Sequence, residues 1–122
     1  MENWIKYTNK EIKGKSKNPE ISIGLPIYNG EKFIRKRLEN ILSQTFNDFE
    51  LIISDNASTD DSVKICKEFM EKDSRIKLYV QDKNIGQFNN YNFILDHVLG
   101  KYFLWIAADD LLSPKFLEKN FN

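Results

Sequence analysis

Residues 21–60 read ISIGLPIYNGEKFIRKRLENILSQTFNDFELIISDNASTD, and this stretch decides the fold. It opens with a β-branched apolar run, Ile21 to Leu25, which stops at Pro26 and is typical of a buried strand. Apolar residues at helical spacing follow: Ile34, Leu38, Ile41 and Leu42. A second apolar run, FELIIS at 49–54, comes next. The order strand, helix, strand favours two parallel strands joined by a crossover helix.

The same alternation continues to the end of the sequence. Further strands are predicted at 75–80 and 102–107, and a helix capped by Ser58 precedes the first of them. A third helix is predicted to end at Gly100, and a fourth covers 115–121. The charged run EKFIRKR within the first helix is interpreted as a solvated face. The pattern predicts an α/β, Rossmann-like parallel sheet with helices on both faces.

Composition and charge narrow the class of protein. The chain has 122 residues, 41% of them hydrophobic and 30% charged, with a formal net charge of zero. We therefore expect one globular domain with no general attraction to nucleic acid. The single cysteine, Cys66, cannot form an internal disulfide, and its place on an apolar helix side predicts a buried thiol. A cytoplasmic location is expected, with the inner face of the membrane as an alternative.

The first twenty residues differ in character from the rest. They are polar and rich in lysine, and they contain no apolar segment of the kind found in signal peptides. We predict a polar extension at 1–20 and a domain at 21–122.

Polar motifs follow three of the predicted strands: PIYNGE, SDNAST and ADD. Ligands in open α/β sheets bind beyond the carboxyl ends of the strands. If the predicted strands lie in the order 3-2-1-4, Tyr28, Asp55 and the pair Asp109 and Asp110 line one crevice.

Each motif also has a plainer interpretation. PIYN is a good turn sequence, although Tyr28 offers a flat face for a base. DNAST is a good helix cap, although Asp55 is not needed for capping and could accept a hydrogen bond from a base. Asp109 and Asp110 suit a helix dipole, but also a hard divalent cation that takes its other ligands from phosphate.

Three blocks together resemble a known family. They are GLPIYNGEKFIRKRLENILSQTFNDFELIISDNASTDDS, then NIG, then GKYFLWIAADDLLSPKFLE. In order and spacing they are similar to the nucleotide-binding half of family 2 glycosyltransferases, which have the GT-A fold, and most of all to bacterial members that build surface polysaccharides. The resemblance implies transfer of a sugar, with inversion, from a nucleotide-diphosphate sugar to a glycan or lipid-linked acceptor.

The resemblance also implies site residues. Pro26 and Tyr28 flank the base, Asp55 reads its edge (N3–H for uracil, which favours a UDP-sugar), and Glu31 borders the base pocket. Asp110 binds Mg²⁺ or Mn²⁺ in a DXD-type element. The residues expected to bind the nucleotide sugar are Pro26, Tyr28, Asn29, Glu31, Asp55, Asn56, Asn84, Gly86, Asn89, Asn92 and Asp109, and those expected to hold the metal are Asp110 and Asp109.

The sequence departs from the family pattern in three ways. Ala107 stands where many relatives have a further aspartate, and Asn90 and Tyr91 stand where many have Ala-Arg or Ala-Lys. A cationic contact to the diphosphate is then lost, or replaced by amide donors from Asn89 and Asn92. Relatives also usually continue for about another hundred residues, which hold the catalytic base. A shortened chain exposes a sheet edge, which predicts a homodimer.

Two alternatives belong to other classes of protein. A signalling receiver domain has a similar size and clustered acids, but its acid pair follows the first strand, where this chain has Pro-Ile-Tyr-Asn. A non-catalytic nucleotide-binding or regulatory module of the same fold stays open.

Overall fold

The computed structural model describes residues 4–8, 18–106 and 111–121. Its strands are β1 (Trp4–Thr8), β2 (Ile21–Ile27), β3 (Phe49–Asp55), β4 (Ile76–Gln81) and β5 (Tyr102–Trp105). Its helices are α1 (Glu31–Leu42), α2 (Ser62–Lys72), α3 (Gln87–Leu95) and α4 (Phe116–Phe121).

The five strands form one sheet in the order β1-β4-β3-β2-β5. Strands β4, β3, β2 and β5 are parallel, which confirms the predicted order 3-2-1-4 and the α/β class. β1 was not predicted. It lies within the extension at 1–20 and pairs antiparallel with β4, with Trp4 opposite Gln81.

Helices pack on both faces of the sheet, and successive side chains of the central strands point alternately to one face and to the other. Ile21, Ile23 and Leu25 of β2 join the main core, together with buried residues of α1, α2 and α4. A smaller cluster on the other face contains Ile52 of β3 and Ile94 of α3. Both faces of β3 are therefore apolar, which is why its sequence lacks a strict alternation.

Two predicted details of the helices are wrong. Ser58 does not cap α2, which begins at Ser62. The Ser58 hydroxyl instead donates to Asp55 Oδ1 at 2.6 Å. The third helix ends at Leu95, five residues before Gly100. A Cβ at Gly100 would lie 2.6 Å from the backbone nitrogen of Ser22, so a glycine is required there by close packing against β2.

The charged run in α1 is only partly a solvated face. Arg37 has no exposed surface, whereas Arg35 and Lys36 beside it are exposed.

Asn40 in the last turn of α1 and Gln44 just after the helix bind the segment before α4 through their side chains. Asn40 Nδ2 donates to Leu112 O and Gln44 Nε2 to Ser113 O, both at 2.8 Å.

Cys66 is buried as predicted, and burial raises the pKa of its thiol to about 12. In the part of the chain that the structure describes, we find no helix with both the length and the apolar character to cross a bilayer.

Candidate nucleotide-binding site

A cleft of about 290 Å³ lies at the carboxyl ends of β2, β3 and β4. Its described lining residues are Pro26, Ile27, Tyr28, Asn56, Asn84, Gln87, Asn90 and Tyr91. The strand ends and the beginning of α3 therefore form its walls. This is the edge of a parallel sheet at which ligands usually bind.

The PIYN motif forms a turn and also contributes to the cleft. Asn29 has a positive φ of 52°, and its backbone N–H donates to Ser58 Oγ at 2.8 Å. Its side-chain oxygen accepts from the N–H of Thr59 at 2.8 Å. Asn29 thus joins the loops after β2 and β3, while Tyr28, which is 53% exposed, presents its ring at the cleft.

Asp55 is fully buried at the end of β3. Its Oδ1 accepts from the Ser58 hydroxyl at 2.6 Å and its Oδ2 from the Ser58 N–H at 2.8 Å. Burial raises the pKa of Asp55, the two bonds from Ser58 oppose that rise, and the nearby charge of Asp60 adds to it. Each carboxylate oxygen can accept a second hydrogen bond, so Asp55 keeps capacity for a ligand next to the cleft residue Asn56.

Two amides shape the loop after β4. Asn56 Oδ1 accepts from the N–H of Ile85 at 2.8 Å, and Asn84 Oδ1 accepts from the N–H of Gly86, also at 2.8 Å. Gly86 has a φ of 87°, a conformation that favours glycine. Both amide oxygens are therefore used within the protein, and the NH₂ groups are the donors that a ligand could meet.

Gln87, Asn90 and Tyr91 line the cleft but were not predicted as binding residues. They occupy positions i, i+3 and i+4 of α3, which is one helical face. Asn90 is 2% exposed and ties the helix to β3, because its Oδ1 accepts from Ser54 Oγ at 2.6 Å and its Nδ2 donates to Ser54 O at 3.1 Å. A search for one helical face beyond the NIG loop would have found all three.

Other predicted residues point elsewhere. Glu31 Oε1 accepts from the N–H of Asp61 at 2.9 Å, so its carboxylate braces the start of α2. Asn89 Nδ2 donates to Ile85 O at 2.9 Å, and Asn92 is exposed on α3. None of these three is among the described lining residues, and their roles toward a nucleotide stay predictions.

Asp109 and Asp110 lie outside the described residues, as does Ala107. On one side of them, the N–H of Ile106 donates to Gly24 O of β2 at 3.1 Å. On the other, the N–H of Leu112 donates to Asn40 Oδ1 of α1 at 2.8 Å. Within 4–8, 18–106 and 111–121, no group of three or more potential metal ligands occurs.

Comparison with known proteins identifies the family. The model of glycosyl transferase family 2 matches residues 22–122. Glycosyltransferase GlyA of Streptococcus pneumoniae is 36% identical over 81% of this chain, and a glycosyltransferase of Haemophilus influenzae is 35% identical over 85%. The chain spans only 14% and 42% of these two relatives' own length.

A solved structure agrees with both fold and family. S. aureus TarS 1-349 in complex with UDP-GlcNAc superposes with a TM-score of 0.76 at 27% identity, over 82% of this chain and 29% of that one. The same TarS fragment has also been solved in complex with UDP. Sequence and fold agree, and the chain belongs to glycosyl transferase family 2.

Proposed function

We propose that residues 21–122 form the donor-binding half of a glycosyltransferase and bind a nucleotide-diphosphate sugar, preferably a UDP-sugar, in the cleft. The observation that carries the proposal is the cleft itself, where an exposed tyrosine ring and two amides meet beside a buried carboxylate at the carboxyl ends of parallel strands. The structure of TarS with UDP, 27% identical to this chain, supports the choice of uridine.

In this proposal the base lies between Pro26 and Tyr28, and Asp55 accepts its N3–H. Both hydrogen bonds from Ser58 hold the Asp55 carboxylate in one orientation before a ligand arrives. A preoriented acceptor loses little conformational entropy on binding. Asn56 and Asn84 then offer amide N–H groups to the nucleoside or the phosphates.

The metal is assigned to Asp110 and Asp109 together with the phosphate oxygens of the donor. Two adjacent carboxylates fit a hard cation such as Mg²⁺ or Mn²⁺, which prefers oxygen ligands. A metal held there would supply Lewis-acid stabilisation of the negative charge on the leaving nucleoside diphosphate. The protein's own part is to hold the nucleoside end of the donor, so that the sugar lies beyond the sheet edge and open to an acceptor.

The whole reaction is proposed as inverting transfer to a glycan or lipid-linked acceptor in the synthesis of polysaccharide or cell-surface glycan. No catalytic base is assigned within this chain. A non-catalytic nucleotide-binding module of the same fold is the second candidate, because every described lining residue of the cleft is uncharged and none of them is a candidate catalytic acid or base. Release of UDP from a UDP-sugar only in the presence of an acceptor separates the two.

A homodimer through the sheet edge is a further proposal. Among the described strands β5 lies at the end of the sheet, and its Tyr102 and Trp105 side chains are 43% and 38% exposed. Sedimentation velocity at several concentrations tests it, and a constant monomer mass contradicts it.

Calorimetric titration of UDP with and without Mn²⁺ is the first test of donor binding. We expect binding that requires Mn²⁺ and that weakens about tenfold or more in Asp110→Ala, since loss of a metal contact costs at least that. Asp48→Ala is the matched control, because Asp48 is exposed just before β3, at the opposite end of the sheet. Failure of UDP, GDP and TDP all to bind the wild-type chain contradicts the proposal.

A further inference from the structure

Tyr91 stands on the cleft wall in a fixed position. Its ring packs on Trp105 with 4.8 Å between centroids and 30° between planes, and it is 37% exposed. The preceding residue, Asn90, is buried and hydrogen-bonded to β3, so this turn of α3 is held against the sheet. The Tyr91 ring is thus packed against Trp105, and Tyr91 also lines the cleft.

The hydroxyl of Tyr91 is oriented by its neighbour one turn earlier. Gln87 Nε2 donates to the Tyr91 oxygen at 3.1 Å. A phenol hydroxyl can accept a hydrogen bond at its oxygen and can donate its own proton. Because Gln87 donates to the oxygen, the proton of Tyr91 is directed away from Gln87. Within the part of the chain that the structure describes, no acceptor takes that proton. Tyr91 is therefore an oriented hydrogen-bond donor on the wall of a ligand-sized cleft.

The position of Tyr91 favours one part of the nucleotide. The proposed base site, at Pro26, Tyr28 and Asp55, belongs to the ends of β2 and β3. Tyr91 lies on the α3 side and contacts Trp105, the last residue of β5. The chain continues from there toward Asp109, four residues on. Tyr91 thus lines the cleft beside α3 and β5, whereas the proposed base site belongs to the ends of β2 and β3.

We propose that the Tyr91 hydroxyl donates a hydrogen bond to a phosphate oxygen of the bound nucleotide, with Gln87 as its positioning residue. The inference rests on the proposed function and adds a specificity-determining contact to it. Every described lining residue of the cleft is uncharged, so this wall recognises phosphate by neutral donors. The alternative donors Asn89 and Asn92 are absent from the described lining, and Asn89 already donates to Ile85 O.

The test compares UDP with uridine, since only UDP carries phosphate. Calorimetry in the presence of Mn²⁺ on Tyr91→Phe removes the hydroxyl and keeps the ring on Trp105. We expect the affinity for UDP to fall about 3- to 10-fold, the usual effect of one hydrogen bond, and the affinity for uridine to stay unchanged. Tyr102→Phe is the matched control, because Tyr102 is 43% exposed on β5 and is not among the described lining residues.

A double-mutant cycle tests the part assigned to Gln87. Gln87→Leu should weaken UDP binding when Tyr91 is present and should add little in the Tyr91→Phe background, because it acts only through the hydroxyl. Far-UV circular dichroism and thermal unfolding show that each variant is folded. Equal losses from Gln87→Leu in both backgrounds would overturn its positioning role.

The outcomes for the inference and for the proposed function are distinct. If wild-type chain and Tyr91→Phe bind UDP equally, the phosphate contact is overturned and the proposed function stands. If Tyr91→Phe loses affinity for uridine and UDP by the same factor, the hydroxyl contacts the nucleoside and the inference is again overturned. If the wild-type chain binds none of UDP, GDP and TDP, the proposed function falls and the inference falls with it.

Discussion

Asp55 is an ionisable residue at the carboxyl end of β3 with no exposed surface. Burial is the largest cause of its raised pKa, and the hydrogen bonds from Ser58 oppose it without cancelling it. The folded chain therefore binds a proton at Asp55 more tightly than the unfolded chain, whose ordinary value is 3.8. A carboxylate kept at this cost to stability is in keeping with a binding role.

The pH dependence of stability follows from that shift. A raised folded pKa gives a stabilising contribution that is complete below the unfolded value of 3.8 and is lost as pH rises through the folded pKa. Asp55→Asn lacks this titration. We therefore expect the wild type to lose stability relative to Asp55→Asn as pH rises from 3.8 through the folded pKa, measured by urea unfolding at a series of pH values.

Asp73 provides a control of opposite sign. Burial raises its pKa, but the hydrogen bonds and charge of Arg75 outweigh burial and lower it below 3.8. Its contribution is present above 3.8 and is lost as pH falls through the folded pKa, so Asp73→Asn should reverse the trend. The same trend in both variants would contradict the assignment for Asp55.

At the scale of elements, the connection from α3 to β5 is held by buried polar groups. Leu99 N–H donates to Glu50 Oε2 at 2.8 Å, and Gly100 N–H donates to Ser22 Oγ at 2.7 Å. Lys77 Nζ pairs with the other Glu50 oxygen at 2.5 Å. Two parallel strands, β2 and β3, thus bind one loop through a hydroxyl and a carboxylate, and Lys77 of β4 pairs with that carboxylate. This contact sets where β5 begins beside β2.

Gly100→Ala should disrupt that contact. The new Cβ would lie 2.6 Å from Ser22 N and 2.7 Å from Ile21 C, which are backbone atoms of a central strand and cannot rotate away. We expect a loss of about 1–3 kcal/mol in the free energy of unfolding, the usual cost of overpacking, measured by urea unfolding.

Gly30→Ala is the matched control, since its Cβ would meet only Ile27 Cγ2 at 3.3 Å. It should cost clearly less than Gly100→Ala. Equal stability of the two variants would show that the loop relaxes away from β2.

At the scale of the whole molecule, the central sheet could be predicted and its edge could not. β2 and β3 are covered on both faces, so they appear in the sequence as continuous apolar runs. β1 is a short segment in a lysine-rich stretch, and its pairing partner β4 lies some seventy residues away. This pairing depends on tertiary contact between distant segments, so the local sequence pattern at 4–8 does not predict it.

The candidate site divides in the same way. Tyr28 and Asn56 could be predicted because they follow strands that the apolar pattern marks, whereas Pro26 and Asn84 were predicted from the resemblance to the family. The orientation of Glu31 could not, because the partner of its carboxylate is an N–H thirty residues away. Tyr91 was noted only as a departure from the family pattern, since its contact with Trp105 depends on how α3 packs beside β5.

A ligand held by several elements should stabilise the whole domain. The cleft is formed by residues from the ends of β2 and β3, the loop after β4, and α3, so it exists only in the folded chain. UDP with Mn²⁺ at about 100 times its dissociation constant should add about 2.7 kcal/mol to the free energy of unfolding, which raises the midpoint of thermal unfolding by several degrees. Scanning calorimetry measures it. Asp110→Ala should unfold near the wild-type temperature without ligand and gain little from UDP, which separates loss of binding from loss of fold. A wild-type midpoint unmoved by saturating UDP and Mn²⁺ would contradict binding at a site that the folded elements build together.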